Sequence, residues 1–220
     1  MKVYYNLNLS GFSNCYLVAN EETKEALLVD PGEVTEAIIS QIENNNYKLS
    51  AVLVTHNHGS HVKGIKTLEK IYSPQIYAAD WEVAGEKTNV LNGDGKIKIA
   101  TMNVNFMAIP GHTSDSVVYK IENLLFTGDV LFAGTIGTTN SSYSEYVLQT
   151  NIKNKIFTLP DNCVIMPGHG PLSTLEAAKA FNYGLWTKAI FPATRPYLSK
   201  TKSFKAMAAS SKPFPFVFIT

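Results

Sequence analysis

Arginine is nearly missing from these 220 residues, with Arg195 the only one among 19 basic side chains. A pocket that grips phosphate or carboxylate through several guanidinium forks is thereby excluded. Charge of either sign is also in short supply. The formal net charge is +1, which provides no basic field for a phosphate backbone, so nucleic acid is not an expected partner. Apolar runs such as Ala51-Val52-Leu53-Val54 fall far short of the roughly 20 residues that span a bilayer, so no membrane span is expected. The start, Met1-Lys2-Val3-Tyr4-Tyr5-Asn6, turns polar too early for the apolar core of a signal peptide. Cysteine is limited to Cys15 and Cys163. Two cysteines do not build a disulfide framework, which points to a reducing cytoplasm. What the chain does have is core-forming material, 45% hydrophobic against 17% charged. That balance fits a folded globular domain with a core of its own.

Short apolar runs alternate with helical patterns. Val3 to Leu9, Cys15 to Ala19 and Ala26 to Asp30 read as strands, the last closed by Pro31-Gly32. A helix is expected from Glu33 to Asn44, with Val34, Ile38, Ile39 and Ile42 on one face. Ala51 to Thr55 reads as a buried strand, Val62 to Tyr72 as a helix with the stripe Ile65, Leu68 and Ile71, and Gln75 to Ala79 as a strand. After the tight turn Asn92-Gly93-Asp94-Gly95 come the alternating Lys96 to Ile99 and strands Val104 to Ile109, Val117 to Ile121 and Leu124 to Thr127. Helices from Ser144 to Leu159 and from Thr174 to Lys188 flank a strand from Val164 to Met166. The class is α/β (α+β), with two mixed β-sheets carrying helices on their outer faces. That domain spans 1–190. From Phe191 four prolines break the pattern, and the tail 191–220 is expected to pack on or near the domain. Its apolar end, Phe216 to Ile219, is a candidate edge strand or homodimer contact.

The five histidines are 56, 58, 61, 112 and 169, and each follows an expected strand beside a turn. Mixed sheets place ligand sites beyond strand carboxyl ends. The extended spacing of His56-Asn57-His58 turns both rings to one side, as a chelating pair requires. With His112 they supply three nitrogens and leave a fourth position open, the pattern of a catalytic zinc site. His61, His169 and Asp129 form a second set, and Asp129 is placed to bridge two ions about 3.5–4 Å apart. Singly these motifs are weak: Pro-Gly-His is usually just a turn. Together they use every histidine in the chain, leaving none for a core or surface role.

The arrangement resembles the metallo-β-lactamase superfamily, most closely its small glyoxalase II-like members. The family pattern T-H-x-H-x-D-H, P-G-H-T, G-D-x-L-F and P-G-H-G is matched by Thr55 to His61, Pro110 to Thr113, Gly128 to Phe132 and Pro167 to Gly170. Asn14 to Val18 and Val29 to Gly32 also look like family signatures. The resemblance implies a four-layer αβ/βα sandwich with the metal site on one edge, zinc as cofactor (one or two ions, with iron or manganese as alternatives), and hydrolysis by a metal-bound hydroxide. It also suggests that Asp30 orients a ligand histidine; the plain alternative is a turn residue before Pro31-Gly32.

Two positions depart from the pattern. Ser60 stands where the family has the aspartate that binds the second metal and holds the attacking water. The second site should therefore be weaker and the catalytic machinery altered at Ser60, with Asp129 retained. Asp115, where the family usually has glycine, is a candidate replacement carboxylate. Gly137-Thr138-Thr139-Asn140 replaces the Gly-Arg-x-Asp of glyoxalase II-like relatives, which leaves the thioester substrate open. The expected activity is a metal-dependent hydrolysis of an ester, thioester or related bond in a small-molecule substrate. The alternatives are a mononuclear iron oxygenase resembling the persulfide dioxygenases, with His56, His112 and Asp129 as its triad, and a non-catalytic metal-binding protein. Cys15 and Cys163 read as buried small hydrophobes, and Tyr143 and Tyr146 are candidates to line the substrate mouth, with core or rim residues as the plain alternative.

Overall fold

Side chains alternate along the strands of both halves, and the two faces they define set the layers. The computed structural model describes residues 1–185. Its first half contains strands β1 (Lys2–Asn8), β2 (Ser13–Ala19) and β3 (Glu25–Val29), helix α1 (Glu36–Glu43), β4 (Lys48–Leu53), α2 (Gly59–Val62), α3 (Ile65–Tyr72) and β5 (Gln75–Ala78). A small hairpin of β6 (Glu82–Val83) and β7 (Glu86–Lys87) then leads to β8 (Asn89–Val90). The first sheet has the order β1-β2-β3-β4-β5-β8, antiparallel through β3 and parallel beyond it.

The second half contains β9 (Gly95–Ile99), β10 (Met102–Ala108), β11 (Val117–Ile121), β12 (Leu124–Gly128), α4 (Ser142–Asn151), β13 (Val164–Pro167), β14 (Ser173–Thr174) and α5 (Leu175–Phe181). Its sheet has the order β14-β13-β12-β11-β10-β9, with only β12 and β13 parallel.

Tyr16 and Val18 of β2 face Phe126 of β12 and Met166 of β13 in the layer between the sheets. Their neighbours Cys15, Leu17 and Ala19 pack under Ile38 and Ile42 of α1 and Ile65 and Leu68 of α3. On the far side Leu125 and Ile165 lie under Leu148 of α4 and Leu175 of α5. The result is the expected four-layer αβ/βα sandwich. Each fully buried Leu or Ile contributes about 1.5–3 kcal/mol, so three apolar layers rather than helix propensity hold these short helices.

Several boundaries differ from expectation. The helix expected over Val62 to Tyr72 is broken at Gly64, whose N–H donates to the Pro31 carbonyl at 2.8 Å. A Cβ at Gly64 would sit 2.6 Å from that oxygen, so the two segments meet only through glycine. Ile71, assigned to the buried stripe, is 49% exposed. The strand placed at Ala51 to Thr55 starts earlier and ends at Leu53, which leaves Val54 and Thr55 to enter the site. The helix expected from Ser144 to Leu159 begins at Ser142, capped by Ser141, and widens into a π-helical turn over Ile152–Ile156. The helix expected to reach Lys188 ends at Phe181, before the 3₁₀ turn Tyr183–Leu185. Lys188, the domain end at 190 and the tail 191–220 lie outside the described residues. Among the described residues no helix is long and apolar enough to cross a membrane.

Candidate metal centre

Strand direction brings the histidines together. β3, β4, β12 and β13 deliver Asp30, His56, Asp129 and His169 from their carboxyl ends, and β10 runs the same way into His112. His61 sits on α2, in the turn that follows β4. The edge is stitched across the two sheets. Val117 N–H donates to the Thr55 carbonyl at 2.8 Å, Tyr16 Oη to the Pro167 carbonyl at 2.7 Å, and Tyr119 Oη to the Val54 carbonyl at 2.8 Å.

Two groups of ligand atoms result, each able to hold a metal ion: His56, His58, His112 and Asp129, and His61, Asp129 and His169. In the first, His58 Nδ1 lies 3.0 Å from His56 Nε2 and 3.2 Å from His112 Nε2. Asp129 Oδ2 lies 3.8 Å from His56 Nε2 and 3.7 Å from His112 Nε2. A tetrahedral ion with bonds of about 2.0–2.1 Å holds its donors about 3.3–3.4 Å apart, and the four separations bracket that spacing. Asp129 Oδ1 faces the second group, 3.6 Å from His61 Nε2 and 2.8 Å from His169 Nδ1. One carboxylate thus serves both groups with different oxygens.

The fit to a metal is also visible in what lacks a partner. His61 is fully buried, and among the described residues its Nε2 has no hydrogen-bond partner. An orphaned buried nitrogen is costly unless something binds it. On four of the five histidines the ring nitrogen that faces outward is engaged, as expected of metal-ligating histidines. Asp30 Oδ2 meets His61 Nδ1 at 3.1 Å, the Thr138 carbonyl meets His112 Nδ1 at 2.7 Å, Thr55 Oγ1 meets His56 Nδ1 at 3.1 Å, and the Gly11 carbonyl meets His169 Nε2 at 3.2 Å. Asp30 also accepts from Thr55 N–H at 2.8 Å and Thr55 Oγ1 at 2.6 Å, at a backbone φ of 52° that Asp tolerates better than most residues. The outer carbonyls of Gly11 and Thr138 leave no mark in the sequence, since any residue carries one.

Electrostatics separate the two groups. Burial, with His61 beside it, pushes His56 down to about 3, so it is neutral and ready to ligate at pH 7. Burial opposes charge on His61 too, but Asp30 and Asp129 outweigh it and raise that imidazole to about 10. Asp129 is held well below the usual carboxylate range because the hydrogen bond from His169 and the charge of nearby His61 overcome its burial. A metal entering the second group must displace the proton on His61, whereas His56 has none to lose.

Ser60 is half-buried, and its Cβ is close enough to Gly11 that a Cβ there would approach within 2.9 Å. Its carbonyl accepts from Ser13 Oγ at 2.5 Å. Asp115 does not join the second group. Its carboxylate accepts from Asn57 N–H at 2.7 Å, beside the first. Both cysteines are buried, with pKa values raised by burial. Tyr143 and Tyr146 are exposed rather than core residues.

Fold and site together define a four-layer αβ/βα protein with a candidate metal centre at the shared sheet edge. The metallo-beta-lactamase superfamily model matches residues 10–82 and 82–169, and the chain belongs to that superfamily. It is 31% identical over 209 residues to a probable metallo-hydrolase of Streptococcus pyogenes serotype M6, covering 83% of this chain and 89% of that one. It is 30% identical over 200 residues to the hydroxyacylglutathione hydrolase GloC of Haemophilus influenzae, covering 80% and 94%. The crystal structure of BLEG-1 B3 metallo-beta-lactamase superimposes with a TM-score of 0.76 at 26% identity, covering 83% of this chain and 99% of that one.

Proposed function

We propose that the chain is a metal-dependent hydrolase of an ester, thioester or related bond. His56, His58, His112 and Asp129 hold one ion, and His61, His169 and Asp129 hold a second more weakly, zinc being the ion expected. The observation that carries this reading is the convergence of all five histidines on Asp129, with the buried Nε2 of His61 left for a ligand. When bound, the metal polarises a carbonyl and makes water a nucleophile at neutral pH. The protein's own residues hold the donors in place and keep His56 neutral. Cys15, Cys163 and Ser60 are not placed as nucleophiles: both cysteines are buried, and Ser60 abuts Gly11.

The names of the relatives support a hydrolase, and a hydroxyacyl thioester of glutathione is the first substrate to try. The experiment measures hydrolysis of S-lactoylglutathione, simple aryl and alkyl esters and a β-lactam, before chelation, after it, and after zinc is returned. Ester or thioester turnover that is lost on chelation and restored by zinc is expected. Metal-loaded protein with no turnover on any of these would favour the binding-protein reading. Bound iron with oxygen uptake on a persulfide would favour the oxygenase.

A further inference from the structure

We infer that Asp115 is the positioning residue for His58, fixing it through the backbone of Asn57; this rests on the metal reading above. His56, His61, His112 and His169 each have an outer partner on the ring nitrogen that faces away from Asp129. His58 is the exception. Its Nδ1 faces His56 and His112, and among the described residues its Nε2 makes no hydrogen bond. The residue is exposed on a loop, and among the described residues only those two Nδ1 contacts act on the imidazole itself. Its placement therefore depends on the backbone that carries it.

That backbone is pinned next door. Asn57 N–H donates to Asp115 Oδ2 at 2.7 Å, a short bond to a charged acceptor. Asp115 stands on a braced mount. Thr113 Oγ1 and Ser116 Oγ are 2.6 Å apart, Gly111 N–H donates to the Thr113 carbonyl at 3.0 Å, and Ile109 N–H to the Ser116 carbonyl at 2.8 Å. The same loop carries His112, three residues before Asp115. One hydrogen bond thus ties the segment bearing two first-group donors to the loop bearing the third. Asp80, after β5, lies near the Asn57 side chain, its carboxyl pushed up by burial and by the charge of Asp115. Among the described residues only Asp115 holds the Asn57 main chain. Outer contacts of this kind change metal affinity by about 10–100-fold when removed.

The test compares wild type, Asp115→Ala and Asp115→Asn by zinc competition against a chelator of known affinity, following the tighter ion. Amide hydrogen exchange at Asn57 and the melting temperature of the metal-free protein are read alongside. Asp115→Ala should weaken the tighter zinc by about 10–100-fold, lose protection at Asn57 and leave the metal-free melt nearly unchanged. Asp115→Asn keeps an acceptor oxygen and should restore most of the affinity and protection. Unchanged zinc affinity in Asp115→Ala would overturn the inference. So would an equal loss in both variants, since that assigns the effect to charge. Should Asp115→Ala melt far below wild type, Asp115→Asn alone decides, and a full loss of affinity in it overturns the inference. Wild-type protein that takes up no zinc would defeat the metal reading itself, whereas zinc-binding wild type with an indifferent Asp115 defeats only this step.

Discussion

At Asp129 the two carboxylate oxygens face different sets of imidazoles, and the residues behind those imidazoles decide how firmly each set is held. Asp30 is the best connected of them, with three hydrogen bonds from Thr55 and His61 while almost wholly buried. Asp30→Ala leaves Thr55 and His61 unpaired in the interior and should lower stability by about 3 kcal/mol, because breaking a buried charged network costs about 3–5 kcal/mol. A denaturant titration of the metal-free protein checks this, and a loss near zero would contradict it. Ser60→Asp should raise occupancy of the second ion together with turnover; if metal analysis and kinetics show neither, the account of Ser60 is wrong. The cysteines give a pH prediction. Burial raises both thiols, so the folded chain keeps its protons at pH values where the unfolded chain loses them. Stability is then lost as pH rises above about 8.5, and a disulfide reagent at pH 8 should react with both thiols only on unfolding. Fast labelling of native protein would contradict the burial. Most of this site was legible because the five histidines and Asp129 that converge on it sit in recognisable turns after strands. The true place of Asp115 was not, since its partner is a backbone amide.

Among the elements, strands were easier to find than their ends. Alternation marked the Val117 to Ile121 strand at its observed limits, and β13 to within a residue. The helix through Gly64 was misread because the hydrophobic period continues across the break, while the reason for it, the Pro31 carbonyl, comes from another part of the chain. The Asn92–Gly95 stretch, the strongest turn signal, links the two sheets, with Gly93 at φ 67°. The two-residue turn of the β9–β10 hairpin is Ala100-Thr101, both at positive φ (47° and 60°), which neither residue type advertises. Ser73 ends α3 in the same left-handed region, φ 47°, where glycine is the usual choice. Ser73→Gly should therefore raise stability by up to about 1 kcal/mol, less what the Ser73 Oγ bond to the Glu69 carbonyl contributes, read as a higher melting temperature. Gly128 shows the opposite case. At φ 49°, with a Cβ that would fall 2.3 Å from Thr55 Oγ1, Gly128→Ala should cost at least about 2 kcal/mol and loosen the Thr55 bond to Asp30. A melt equal to wild type would contradict that.

For the molecule as a whole, the site is where its two halves meet. The first sheet and its loops supply Asp30, His56, His58 and His61, and the second supplies His112, Asp129 and His169. A metal held between them binds the folded state alone and links the halves, so it should stabilise the fold by about 4 kcal/mol at a free concentration 1,000 times its dissociation constant. The architecture was legible from the order of strands and helices, whereas the stitching bonds from Tyr16 and Tyr119 to opposite-sheet carbonyls were not, because they join residues more than 60 positions apart. The most direct measurement is metal content by mass spectrometry on protein purified without chelator, then again after exposure to zinc at increasing free concentration. One tightly held ion per chain, with a second filling only at higher free zinc, is the predicted result. A chain that holds no metal even when zinc is offered would contradict the account at its centre.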